Sequence, residues 1–162
     1  MIIVDACSAI LLAKASVIEI ATNEFHFAIT TQVFQEVLAG KKKQYPDALL
    51  IERLWQEKKI TLVESPVELY KKIKKDFNMG DGESSVLASA IVNKSIIVTD
   101  NRQARNAAMV HTVPIVGSVE IVVSLVKKRK ISIEKAKKAL ATLSEEGWFH
   151  SSLIDKARED IS

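Results

Sequence analysis

Apolar positions along the chain follow two rhythms. Short runs that are apolar throughout and rich in β-branched residues occur at 1–4, 27–29, 60–63 and 113–116, with a further run in SIIVTD at 95–100. Between them the apolar residues return at helical spacing. SAILLAKA follows Asp5, and a stripe of Val33, Phe34, Val37 and Leu38 follows Thr30 or Thr31 as cap and stops at Gly40. Residues 48–55, a basic amphipathic stretch at 67–77, a segment opening near Asp81, and 101–109 complete the helices before the last strand. Three more helices with a break at Gly147 complete the chain. Strands buried on both faces and alternating with helices require a parallel sheet with helices on each side. The expected class is α/β: a single three-layer α/β/α domain with a mostly parallel sheet of about five strands, plus C-terminal helices.

One residue breaks the pattern. In MGDGESSVLASA (79–90) the stripe Val86, Leu87, Ala90 and Ile91 centres about 70° from Val86, and Glu83 falls at about 60°, on the side that should face the core. Asp81 points elsewhere and is expected to be the N-cap. The helix dipole contributes roughly 0.3–1 kcal/mol to a carboxylate in the first turn, whereas an unpaired buried charge costs several. Glu83 therefore needs a proton, a basic partner or a metal ion. Asp5 and Asp100 each close an apolar run that leads into a helix, the place where ligands gather in parallel sheets. Taken singly, either aspartate reads as a helix cap. If Asp5, Glu83 and Asp100 converge they repel one another, with only Arg102 nearby to neutralise them, and a divalent cation resolves the conflict. Oxygen ligands favour Mg²⁺ or Mn²⁺. Glu36 lies about 130° from its helix's apolar stripe, where a solvated surface acid belongs, and periodicity gives it no role.

Composition narrows the chemistry. The 162 residues are 48% apolar and 27% charged, with 23 basic against 20 acidic side chains and a net charge of +3. Bases cluster at 41–43, 71–75 and 127–130, faces that are either solvated or a track for a nucleic-acid backbone whose affinity would fall with salt. The single Cys7 cannot form an internal disulfide, no Cys/His spacing fits zinc, and the start of the chain carries no basic leader, so a reducing, cytoplasmic setting without a membrane is expected. Trp55 and Trp148 read as packing or interface residues. No GxGxxG follows the first strand, which argues against a dinucleotide site, and VPIVGSVEI offers no lysine for a receiver-like phosphoacceptor.

The ordered set of Asp5 in IIVDACSAILLAKA, Glu36 in TTQVFQEVLAG, Glu83 in GDGESSVLASA and Asp100 in IIVTDNRQAR resembles the PIN-domain nucleases, including VapC-type toxins. The resemblance covers 1–125 as the nuclease domain. Residues 126–162, a helical extension packed on the same domain, are similar to a prokaryotic subgroup of uncharacterised PIN proteins. It implies that Asp5, Glu36, Glu83 and Asp100 form a carboxylate quartet holding Mg²⁺ or Mn²⁺. It also implies an RNA substrate and an endoribonuclease leaving 5′-phosphate ends. Cys7 stands where Ser, Thr or Asn often follows the first aspartate, so Ser8 or Thr99 is expected to supply the hydroxyl contacts, and Ser8, Thr99, Arg102 and Arg105 are candidates to touch the nucleic acid, the two arginines at its phosphate backbone. The family further implies a toxin role with an antitoxin partner, or a homodimer. The alternative is a non-catalytic RNA-binding or regulatory module that keeps the acidic pocket for a structural ion.

Overall fold

The computed structural model describes residues 1–162. Five strands, β1 (Ile2–Val4), β2 (Phe27–Thr30), β3 (Ile60–Val63), β4 (Ile96–Val98) and β5 (Ile115–Val116), form one sheet in the order β3-β2-β1-β4-β5. Every pairing is parallel. The chain builds outward from β1 to β3, then returns to lay β4 on the other side of β1 in the register Val4↔Val98. The order of strands thus reverses between β1 and β4. At such a switch point the connections leave in opposite directions and open a crevice beyond the strand ends.

The helices are α1 (Ala6–Lys14), α2 (Ile18–Glu24), α3 (Thr31–Lys41), α4 (Pro46–Gln56), α5 (Val67–Phe77), α6 (Asp81–Asn93), α7 (Arg102–Val110), α8 (Ser118–Lys127), α9 (Ile133–Glu146) and α10 (Ser151–Ile161). Helices α1, α4, α8 and α9 pack together, as do α5, α6 and α7, with the sheet between the two groups. None is long and apolar enough to cross a membrane. Sequence chemistry sets most boundaries. Thr30 caps α3 through Oγ1 accepting from the Val33 amide at 3.1 Å, and Pro46 starts α4 where a missing N–H costs nothing. Asn101 caps α7 by accepting from the Ala104 amide at 2.9 Å. Each such cap contributes about 1 kcal/mol.

Three boundaries differ from the expected ones. Gly40 does not stop α3, which runs on to Lys41; an added Cβ there would sit 3.4 Å from both Ala48 Cβ and the Tyr45 ring, so glycine admits the close approach of α4. Helix α2 gave no sequence signal because Val17, at its N-cap, offers no side-chain bond and the helix is only seven residues long. Asp81 is not a cap. Gly80 occupies that position, and exposed Asp81 instead accepts from Tyr70 Oη at 2.5 Å and Lys74 Nζ at 2.6 Å.

One apolar core runs through the molecule, with Ile3, Leu12, Phe27, Ile29, Ile51, Leu125, Leu140 and Leu143 all fully enclosed. Two of these belong to α9, so the last helices complete the same core. Tyrosine, lysine and glutamine side chains tie the upper end of α5 to its neighbours. Gln103 at the start of α7 donates to the Phe77 carbonyl at 2.6 Å.

Candidate active site

Asp5 stands at the carboxyl end of β1 and caps α1, its Oδ1 accepting from the Ser8 amide at 2.8 Å. Its own amide donates to the Val98 carbonyl at 3.1 Å, which fixes it against the end of β4. Only 4% of Asp5 is exposed. Asp100 lies just past β4 and is held from two sides. Its Oδ1 accepts from the Ser118 amide at 2.9 Å, and its Oδ2 accepts from the Ser118 hydroxyl and, at 3.3 Å, from the Ser8 hydroxyl. Ser8 therefore joins the two aspartates, its amide to one and its hydroxyl to the other. Ser118 is the first residue of α8, so Asp100 also receives the positive end of that helix.

The glutamates arrive from the neighbouring helices. Glu36 sits one turn and a half into α3, which starts at the carboxyl end of β2, and its carboxylate lies against Gly82 at the start of α6. A Cβ on Gly82 would lie 2.3 Å from Glu36 Oε1, so only glycine admits this carboxylate. Glu83, in the first turn of α6, is half-buried and lines a small hollow together with Asp5 and Thr99. Burial pushes the Glu36 carboxyl up and the Gly82 amide opposes this, while the charges of Glu83 and Asp5 add to the upward shift. Burial likewise raises the Cys7 thiol, and after it the negative fields of Asp5, Glu83, Glu36 and Asp100 in turn. Ser8 joins Asp5 to Asp100, Glu83 shares a hollow with Asp5, and Glu36 lies against Gly82, the neighbour of Glu83, so the four acids gather at one edge of the sheet.

None of the four has a basic partner. The ion pairs of the chain all lie among other residues. Arg102, the expected counter-ion, is exposed and pairs with nothing. Arg105 is spent on the Thr99 carbonyl, to which its Nε donates at 3.0 Å, and lies 3.9 Å from Glu120. The donor set is all oxygen, the kind that hard divalent cations take. As the side chains stand, no three His, Cys, Asp or Glu groups close into a ready ligand shell.

Two sequence expectations need correction. Ser8 and Thr99 do not face a nucleic acid: they are 0% and 1% exposed, and both are engaged with the aspartates. The bases at 127–130 do not extend a track to this edge. Lys128 and Lys130 pair with Glu24, at 3.5 and 3.1 Å, beside the start of β2 at the opposite end of the sheet. Periodicity also missed Ser118 and Gly117. A Cβ on Gly117 would meet Asp100 Oδ1 at 2.8 Å, and the Gly-Ser pair between β5 and α8 is the signal that could have found them.

Ser118→Ala removes both a donor to Asp100 and little else, since the site is fully buried and alanine fits it. Loss of such a supporting hydrogen bond typically costs 10–100-fold in metal affinity or activity. We expect a loss of about tenfold or more in Mn²⁺ affinity by calorimetry, with an unchanged melting temperature in EDTA.

The Asp5 carboxyl is also raised, by burial first, with Asp100 adding to the shift and Thr99 and Ser8 opposing it. Its folded value thus lies above the unfolded one of about 3.9. The contribution of this group is most favourable below that value and is lost as pH rises through the folded value. Glu19 and Glu24, lowered chiefly by hydrogen bonds from Lys59 and Lys130 respectively, contribute with the opposite sign, so the readout is a difference. In EDTA, the stabilisation of Asp5→Asn over the native chain should grow as pH climbs from the carboxylate range toward neutrality. Thermal unfolding across pH checks it.

A five-stranded parallel α/β sheet with carboxylates at its switch point defines the class: a three-layer α/β/α domain with an acidic edge. Comparison with known families makes this specific: the family model DUF3368, described as a PIN domain, matches residues 1–161. The chain belongs to the PIN-domain family. PIN domains are generally nucleases that use divalent metals. A search of curated proteins finds no match to the chain.

Proposed function

We propose that this chain is a divalent-metal-dependent endoribonuclease. The observation that carries the reading is the gathering of four acids at one edge of the sheet, Asp5 tied to Asp100 through Ser8 and beside Glu83, with Glu36 against Gly82, while Asp5 is buried and no ion pair of the chain includes any of them. Asp5, Glu36, Glu83 and Asp100 would hold Mg²⁺ or Mn²⁺, which when bound supplies Lewis acidity at the phosphate and a water ionisable near neutral pH. The protein's part is positioning. Ser118 and Ser8 fix Asp100, the Ser8 amide fixes Asp5 beside Thr99, and Gly82 leaves the room in which the Glu36 carboxylate sits. Arg102, exposed at the same edge and free of carboxylate partners, would meet a backbone phosphate. Attack by water on the phosphate would leave a 5′-phosphate and a 3′-hydroxyl.

The test is direct. Purified protein with Mn²⁺ should cut single-stranded RNA internally, and EDTA should stop it. Stabilisation by Mn²⁺ with every RNA left intact would favour the non-catalytic module instead. A toxin role extends the proposal: induced expression should halt growth for the native chain and not for Asp5→Asn, and a co-expressed antitoxin should restore it.

A further inference from the structure

Trp148 is the one large side chain that the fold leaves wholly in solvent, at 101% of its reference area. It sits in the short link between α9 and α10, a link that is firmly built. Gly147 ends α9 in an extended conformation, and a Cβ on it would strike the Phe149 ring at 2.4 Å, so glycine allows that ring to fold back over the backbone. Phe149 packs against the core, and in extended chain its neighbour must then point the other way. His150 follows as the N-cap of α10. Trp148 is thus presented outward by design of the link rather than left over from packing. Trp55, by contrast, packs on Phe34 with ring centroids 4.7 Å apart.

The link forms one wall of a groove of about 520 Å³ whose other wall carries Asp100, Arg102, Arg105 and Glu120. An aromatic platform, a cation with no carboxylate partner, and one acid of the candidate active site therefore share a single cleft. Glu120 makes it locally mixed in charge, but its carboxylate is occupied by the Gly117 amide at 3.0 Å and lies 3.9 Å from Arg105. A flat exposed indole beside arginines fits an unstacked base with its phosphate. A duplex keeps its bases inside the stack and cannot offer one.

We propose that this groove seats a nucleotide of single-stranded RNA next to the scissile phosphate, with its base stacked on Trp148 and its phosphate on Arg102. The proposal rests on reading this edge as nucleic-acid-facing, and it deepens that reading by naming the aromatic platform, supplied by the link between α9 and α10. Stacking on one aromatic is sequence-tolerant, so the groove selects single strands without selecting a base.

The test needs no turnover. Binding of a labelled RNA octamer to the full chain is measured by fluorescence anisotropy in EDTA and again with Ca²⁺. Three partners are compared: the octamer, its duplex, and an abasic strand of equal length and charge. Trp148→Ala should weaken the octamer by about tenfold, the scale of one lost base stack. Trp148→Phe should restore most of that affinity, and Trp148→Ala should leave the abasic strand and the duplex unchanged. The side chain is fully exposed, so neither variant threatens folding. Equal affinities for Trp148→Ala and the native chain would overturn the proposal, as would an equal loss on the abasic strand or no binding by the native chain in either buffer. A dimer that splits in Trp148→Ala while octamer binding is unaffected would also overturn it, by assigning the indole to a second copy of the chain. The two readings fail separately. Cleavage in Mn²⁺ without any effect of Trp148 sinks the platform alone, and Trp148-dependent binding without cleavage sinks the nuclease alone.

Discussion

Asp5→Asn is expected to lower RNA cleavage by at least about a hundredfold, the upper end of what loss of a ligand's supporting contact already costs, while raising the melting temperature of the metal-free protein. The two effects have one origin. Asparagine still accepts the Ser8 amide and so still caps α1, and it removes a charge that burial and Asp100 both oppose. A residue kept only for capping would give neither result. Asp100→Asn and Glu83→Gln should lose activity to a similar degree, with circular dichroism showing the fold intact. Retained cleavage in any of the three would remove that residue from the site. An Asp5→Asn protein that unfolds would return the residue to a structural role.

The second large effect is expected from a position that carries no chemistry. In Gly82→Ala the new methyl would lie 2.3 Å from Glu36 Oε1 and 2.9 Å from its carboxyl carbon. The glutamate side chain reaches solvent and can swing out of the way, so the carboxylate moves off Gly82 rather than the backbone yielding. Alanine within a helix is favoured over glycine by about 1 kcal/mol. Stability should therefore hold or rise while cleavage falls to the level of Glu36→Gln. The double variant should be no worse than either single one, because both remove the same contact. Rates with Mn²⁺ and thermal unfolding in EDTA read the two quantities separately. A fully active Gly82→Ala would mean that Glu36 does not work from where it sits.

How much of this could be read from the chain depends on whether the signal was local. The five strands were legible because each is a short run, apolar but for Thr30 and Thr61, and their parallel pairing followed from the helices between them. Glu83 was legible because a carboxylate in line with an apolar stripe violates a rhythm. Glu36 was not, since on α3 it occupies an ordinary solvent position. Its significance comes from Gly82, 46 positions away and close only in three dimensions. Ser118 was silent for a similar reason. A serine opening a helix has a sufficient local role, and only the folded chain shows that its hydroxyl and amide converge on Asp100. Of the two readings open for Trp148, packing fails and only an outward-facing one remains, and no local pattern reveals that Phe149 has taken the inward position.

The placement of Leu140, Leu143 and Ile154 within the common core has a practical corollary for anyone shortening the chain. Ending it after α8 would strip the cover from α1 and α8 and bare an oily surface that water does not tolerate. Such a fragment should precipitate rather than behave as a minimal enzyme. The apolar core runs unbroken from β1 to α10, and the final quarter of the chain belongs to the foundation.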